Sequence, residues 1–120
     1  MTEKAQNPED LARLFIERAN AGDVEGLVAL YEADAVLAVG EPVASGHEEI
    51  RAFYTRILAK KREFPPVNQM KPIVHGDLAM TTSRQPNGNI STEIARRQDD
   101  GSWLWKLDQL KIEPLKPDEN

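Results

Sequence analysis

The last apolar run of the chain, Trp103-Leu104-Trp105-Lys106-Leu107-Asp108-Gln109-Leu110, holds a single carboxylate, Asp108. A carboxyl group enclosed by such neighbours loses solvation, and its pKa rises. That would suit a general acid, a general base or a ligand anchor. The plain alternative is an ion pair with Lys106 or with an arginine of a neighbouring strand, and Arg84, Arg96 and Arg97 all stand in strand-like runs. Tyr31 and Tyr54 lie on apolar stripes, and a buried hydroxyl needs a partner, so each could meet a ligand or simply pack. His47 is expected to be exposed in a first helical turn, and His75 falls at a strand end. Two distant histidines without any cysteine give no metal site, and no cofactor is expected.

Helices, a turn and strands must position these groups. Asn7-Pro8-Glu9-Asp10 reads as a helix start with Asn7 as cap, and Leu11, Leu14, Phe15 and Ala19 form one stripe up to about Asn20. After Ala21-Gly22-Asp23, Asp23 caps a second helix with the stripe Val24, Leu27, Val28 and Tyr31. A short strand follows at 36–39, ended by Gly40-Glu41-Pro42. Ser45-Gly46-His47-Glu48 matches a capping box ahead of the stripe Ile50, Phe53, Tyr54, Ile57 and Leu58. Lys60-Lys61-Arg62 closes that helix and Pro65-Pro66 forbids its continuation.

Beyond residue 66 the apolar period becomes two, with strands expected over 70–75, 78–84, 90–98 and 103–112. Pro86-Asn87-Gly88-Asn89 and Asp99-Asp100-Gly101-Ser102 are hairpin turns. Residues 1–6 and 114–120 read as disordered ends around one domain over 7–113. Helices segregated from antiparallel strands mean an α+β fold. In the last strand, simple alternation puts Trp103, Trp105 and Leu107 on one face and Lys106, Asp108 and Leu110 on the other. Both faces are apolar, so both should be covered.

The 120 residues suffice for one domain with a real core. The net charge of −5, with acids and bases mixed, disfavours nucleic acid as a partner. No apolar run is long enough to cross a membrane, the first ten residues lack the apolar core of a signal peptide, and a cytoplasmic protein is expected.

The order of these pieces resembles the nuclear transport factor 2-like superfamily, which includes ketosteroid isomerases and SnoaL-like cyclases. The matching stretches are Ala21-Gly22-Asp23, Tyr31-Glu32-Ala33-Asp34-Ala35, Gly46-His47-Glu48-Glu49-Ile50-Arg51-Ala52-Phe53-Tyr54 and Arg97-Gln98-Asp99-Asp100-Gly101-Ser102-Trp103. The resemblance implies a cone: a curved antiparallel sheet with three N-terminal helices on its concave face and a pocket between. It also implies a homodimer through the outer sheet face. Its register turns Lys106, Asp108 and Leu110 inward and sends Trp103 and Trp105 to the covered outer face. Over the pocket it places Phe15, Tyr31, Val39, Phe53, Tyr54, Thr82, Arg84, Ile94, Lys106, Asp108 and Leu110.

The isomerase chemistry carries over poorly. The relative's helix tyrosine falls at Phe15, its base at Val39, and its protonated aspartate at Ile94, or at Glu93 if the register slips by one. Phe15 has no proton to donate and Val39 cannot take one. The expectation is therefore a small-molecule-binding protein with a mostly apolar pocket. The alternatives are an isomerase-, cyclase- or dehydratase-like enzyme using Asp108, and a protein-interaction module without catalysis.

Overall fold

The computed structural model describes residues 3–39, 43–60 and 63–112. The turn at 40–42, the basic helix end at 61–62 and the tail at 114–120 lie outside the described residues. Three helices precede most of the strands: α1 (Asp10–Asn20), α2 (Val24–Val28) and α3 (Gly46–Leu58). The strands are β1 (Tyr31–Ala38), β2 (Ala44–Ser45), β3 (Asn68–Gln69), β4 (Ile73–His75), β5 (Leu78–Arg84), β6 (Ile90–Arg97) and β7 (Trp103–Gln109). They form one curved sheet in the order β2-β1-β7-β6-β5-β3, with β4 also paired to β5. The β1–β7 pair is parallel, so the sheet is mixed rather than wholly antiparallel.

The helical stripes meet the sheet. Leu11, Leu14, Leu27 and Ile50 are all within 1% of full burial. Each such leucine or isoleucine contributes roughly 1.5–3 kcal/mol by leaving water. Asp23 caps α2, accepting from the Gly26 amide at 2.9 Å. At the start of α1 the cap works in reverse, because Asp10 reaches back to accept from the Gln6 and Asn7 amides. At α3 only half of the expected box forms: the Ser45 amide donates to Glu49 at 2.8 Å, rather than to Glu48, and the Ser45 side chain makes no cap bond.

Several boundaries differ from the sequence reading. The second helix stops at Val28 because the strand ladder captures the chain: the Trp105 amide donates to the Leu30 carbonyl, and Tyr31 pairs with Trp105. Tyr31 is thus a strand residue. Residues 3–6 are bound rather than loose: Ala5 is buried and its carbonyl accepts from the Trp103 amide. The run at 70–75 is broken, since Pro72 has no amide for the ladder and only Ile73–His75 pair beyond it. Both hairpin turns place a glycine at positive φ, Gly88 at 91° and Gly101 at 87°.

The largest correction concerns β7. Ile94 faces Leu107, but Ala95 faces Trp105, so Lys106 is an extra, bulged residue. A bulge resets the alternation of faces. Trp103 and Trp105 point inward and are about 5% and 4% exposed, not on an outer dimer face. Lys106 and Leu107 point outward in succession, and Asp108 returns to the interior. Lys106 is therefore not a pocket residue; its ammonium bonds Asp34 at 2.9 Å. Thr82, Arg84 and Ile94 also face outward. The inward set on β5 is Ala79, Thr81 and Ser83, and on β6 it is Ser91, Glu93 and Ala95.

Gly26 supports a stability test. A Cβ there would overlap the Asp23 carboxylate and lie 2.9 Å from Arg18 Cδ. Helix propensity alone favours Gly→Ala by about 1 kcal/mol. Gly26→Ala should instead destabilise by about 1–2 kcal/mol, because the Asp23 cap and the bond from Arg18 to the Gly26 carbonyl are disturbed. Urea unfolding of the two proteins measures the sign directly.

Candidate functional site

A cavity of about 340 Å³ opens between α1, the segment at 64–67 and the inward face of β5, β6 and β7. Its apolar walls include Phe15, Phe64, Trp105 and Leu110, with Val39 at the rim, 42% exposed. Phe15 meets Phe64 edge-on at 5.9 Å and Trp105 at 6.1 Å between ring centres. The polar side of the cavity is supplied by Ser83, Ser91, Glu93 and Asp108.

Asp108 and Glu93 are direct partners across the β7–β6 ladder. Both are buried, at 3% and 6% exposure. Asp108 Oδ2 accepts from the Tyr31 hydroxyl at 2.5 Å, and the Tyr31 and Tyr54 oxygens are 2.7 Å apart. Tyr31 spends its one proton on Asp108, so Tyr54 donates to Tyr31 when the carboxylate is ionised. Glu93 accepts from the Thr81 hydroxyl at 2.5 Å. Three buried side-chain atoms are left without partners among the described residues: Gln69 Nε2 and, on residues that line the cavity, Asp108 Oδ1 and the Trp105 indole nitrogen. Buried polar groups without partners are uncommon and need a reason.

Burial drives the electrostatics. It pushes the Asp108 carboxyl well above its ordinary range, the facing charge of Glu93 adds to this, and the Tyr31 hydroxyl acts in the opposite sense. Burial also raises Glu93, against the Thr81 and Ser91 hydroxyls. Tyr31 and Tyr54 are raised well above the ordinary phenol value, again chiefly by burial. Two acids facing each other in low dielectric cannot both ionise cheaply. Burial and mutual repulsion thus both favour keeping a proton on this pair.

Among the described residues no cation pairs with either acid. Arg96 instead grips Glu32 on the outer side with two bonds of 2.7 Å, and Arg84 is exposed on β5. Lys111, exposed at the cavity edge, is the one basic lining residue among the described residues. A larger cleft, about 520 Å³, lies near Arg18, Asp23 and Trp103, but its polar groups are already engaged. Arg18 bonds the Gly26 and Glu3 carbonyls, and Asp100 bonds Lys4 and Ser102. Among the described residues no three acidic or histidine side chains group as metal ligands.

Of the residues singled out from sequence, Phe15, Val39, Asp108 and Leu110 border the cavity. Tyr31 and Tyr54 lie behind it and reach it through Asp108. Phe53 packs on Tyr54 with ring centres 5.0 Å apart and under Arg56, away from the cavity. Thr82, Arg84, Ile94 and Lys106 are elsewhere, as described above. His47 is half-buried, and its Nε2–H donates to the Tyr31 carbonyl at 2.7 Å. Sequence reasoning missed Phe64 and Ser83, and reached Glu93 only as the slipped alternative to Ile94. Alternation from buried Ala95 back along β6 is the signal that selects Glu93.

The family model described as a SnoaL-like domain matches residues 12–105. The chain belongs to the SnoaL-like family. That match stops short of Asp108. Solved structures similar to this SnoaL-like chain have the same fold, that of the nuclear transport factor 2-like superfamily. One is a protein of unknown function with a cystatin-like fold from Nostoc punctiforme, with TM-score 0.70, 22% identity, and coverage of 91% of this chain and 90% of that one. Another is a ketosteroid isomerase-like protein from Erwinia carotovora atroseptica, with TM-score 0.68, 22% identity and coverage of 88% and 94%. A third is a putative calcium/calmodulin-dependent protein kinase type II association domain from Thiobacillus denitrificans, with TM-score 0.76, 15% identity and coverage of 89% and 95%. No functionally curated protein matches the chain significantly.

The acid pair makes a pH prediction. Asp108 and Glu93 have folded pKa values above their unfolded ones, so their contribution to stability is full below the ordinary carboxylate range and is lost as pH rises through the raised values. Asp108→Asn removes one of these groups. The variant's stability relative to the parent should therefore become more favourable as pH increases, read from paired urea titrations across the pH range. A difference that is flat with pH would contradict the raised Asp108.

Proposed function

We propose that the cavity binds a small, mostly apolar organic molecule, with Asp108 as its polar anchor. The observation that carries this reading is Asp108: it lines a cavity of about 340 Å³ walled largely by aromatic and aliphatic groups, and one of its carboxylate oxygens, Oδ1, is buried and without a partner among the described residues. A ligand that donates to this oxygen completes the site. Native mass spectrometry and thermal shift against a metabolite library should find ligands that raise the melting temperature. Val39→Trp, at the exposed rim, should block entry and abolish the shift without unfolding the protein.

A second reading is favoured by the hydrogen-bonded chain Asp108–Tyr31–Tyr54 beside Glu93. In it, Asp108 serves as general acid or base in an isomerase-, cyclase- or dehydratase-like reaction. Phe15 and Val39 supply no proton-transferring group, so the chemistry rests on β6 and β7. Once a substrate is known, Asp108→Asn should reduce turnover by about 10²–10⁴-fold. Unchanged turnover would end this reading.

The chain also pairs with itself in this proposal, through the outer sheet face. The tryptophans do not supply that surface. An apolar row crosses the face in register instead: Ile73 beside Met80, Met80 beside Ile94, Ile94 beside Leu107, and Leu107 beside Val36. Ile73, Met80 and Leu107 are 63%, 40% and 49% exposed. Sedimentation at micromolar concentration should give a dimer, and Leu107→Lys should shift it towards monomer.

A further inference from the structure

We infer that the ligand of this cavity is an organic ammonium: a small amine with an apolar body, its cation seated against Asp108 and Glu93 within the aromatic wall. The inference rests on the cavity being a ligand site, and it names the charge of what enters.

Glu32 is the other buried carboxylate of the sheet. It is as buried as Glu93, at 6% exposure, and is fully provided for. Arg96 bonds both its oxygens at 2.7 Å, Gln98 donates to it at 2.8 Å, and Lys106 stands 3.6 Å away. Asp108 and Glu93 are given hydroxyls only: Tyr31 on one, Thr81 on the other. A buried acid pair without a cation leaves negative charge, or a retained proton, at the cavity wall.

Among the described residues the groups around the pair offer no internal cation. β1 contributes Tyr31, α3 contributes Tyr54 and β6 contributes Glu93. The α1 residues on the cavity are Ala12, Phe15 and Ile16, and β5 contributes Ser83, none of them ionisable. Lys111 is exposed on the far strand end and forms no ion pair with either acid among the described residues. When Asp108 is ionised its unpartnered Oδ1 is an acceptor, which an ammonium N–H satisfies with a charge-assisted bond. Phe15, Phe64 and Trp105 border the same space, and aromatic faces attract an organic cation. A neutral alcohol also donates to Oδ1 but leaves the charge uncompensated.

Binding follows a defined proton balance. Where the pair holds one proton, entry of the ammonium favours its release to solvent, leaving both carboxylates facing the cation. Affinity for the amine should therefore weaken as pH falls and the pair holds its protons more firmly.

The test compares benzylamine with benzyl alcohol, close in size and shape and differing in charge at about neutral pH. Binding to the full chain is followed by NMR titration and by calorimetry in buffers of different ionisation enthalpy. Benzylamine should bind about tenfold or more tightly than the alcohol, with proton release on binding. The preference should shrink at lower pH, and should fall in Asp108→Asn and in Glu93→Gln. If Asp108→Asn does not fold, Glu93→Gln and the pH series on the unaltered chain decide the matter. Equal binding of amine and alcohol, or tighter binding of the alcohol, overturns the ammonium inference and leaves the cavity reading standing. A failure of both probes, and of the metabolite library, overturns both.

Discussion

Lys106 has no counterpart in the ladder between β6 and β7, and that one insertion decides what faces the cavity. Upstream of it the inward residues are Trp103 and Trp105; downstream they are Asp108 and Leu110. Without the bulge a strand could present either set to the interior, never both. The tryptophans fill the space under α1 and β1, where Trp105 packs on Phe15 and Tyr31. The same strand then delivers a carboxylate to the polar side of the cavity. The bulge also puts Lys106 and Leu107 side by side on the outside, where one meets Asp34 and the other stays exposed. Core packing, the cavity acid and the apolar outer row are thus consequences of one backbone irregularity.

That irregularity explains which part of the chain could be read in advance. Helix stripes, caps and hairpin turns are local, and their residues announce them: Asp23, Gly88 and Gly101 do what their types require. The fold class and the three helices follow from such signals. A bulge has no residue type of its own. Alternation correctly turned the tryptophans inward and the superfamily register correctly turned Asp108 inward, yet as rules for one regular strand they exclude each other. The outward placement of Thr82, Arg84 and Ile94 is a related failure, because β5 and β6 carry apolar or small residues on both faces and a one-residue shift exchanges them. Tyr31 was misassigned for a different reason. Its helical stripe is real as a pattern, but the carbonyl of Leu30 is taken by the Trp105 amide, and a long-range strand bond outweighs local propensity.

The distribution of charge divides the sheet into two regions with different physics. On the outer side, carboxylates meet cations: Glu32 with Arg96, Asp34 with Lys106, Asp77 with Arg97. Such pairs add little individually but leave no charge stranded. On the inner side, Asp108 and Glu93 meet hydroxyls and each other. Desolvation there opposes ionisation, which is why both are shifted upward while Glu32, though also desolvated, is shifted down by its partners. Glu32 and Glu93 are equally screened from solvent, but Glu93 lies deeper and meets only hydroxyls, whereas Glu32 lies nearer the surface among cations; depth and partners together set the opposite directions.

This contrast bears on what the inner acids are for. An acid pair held without cations weakens the fold once the pH favours ionisation, and an apolar pair of similar volume would remove that cost. The helical wall of the cavity offers Phe15, which neither gives nor takes a proton, and the rim offers Val39, which is likewise inert. Among the described residues the carboxyl groups of the cavity therefore lie on β6 and β7, connected through Tyr31 on β1 to Tyr54 on α3. The helices give shape and an aromatic surface, while the strands give a polar centre in which Asp108 Oδ1 has no partner among the described residues.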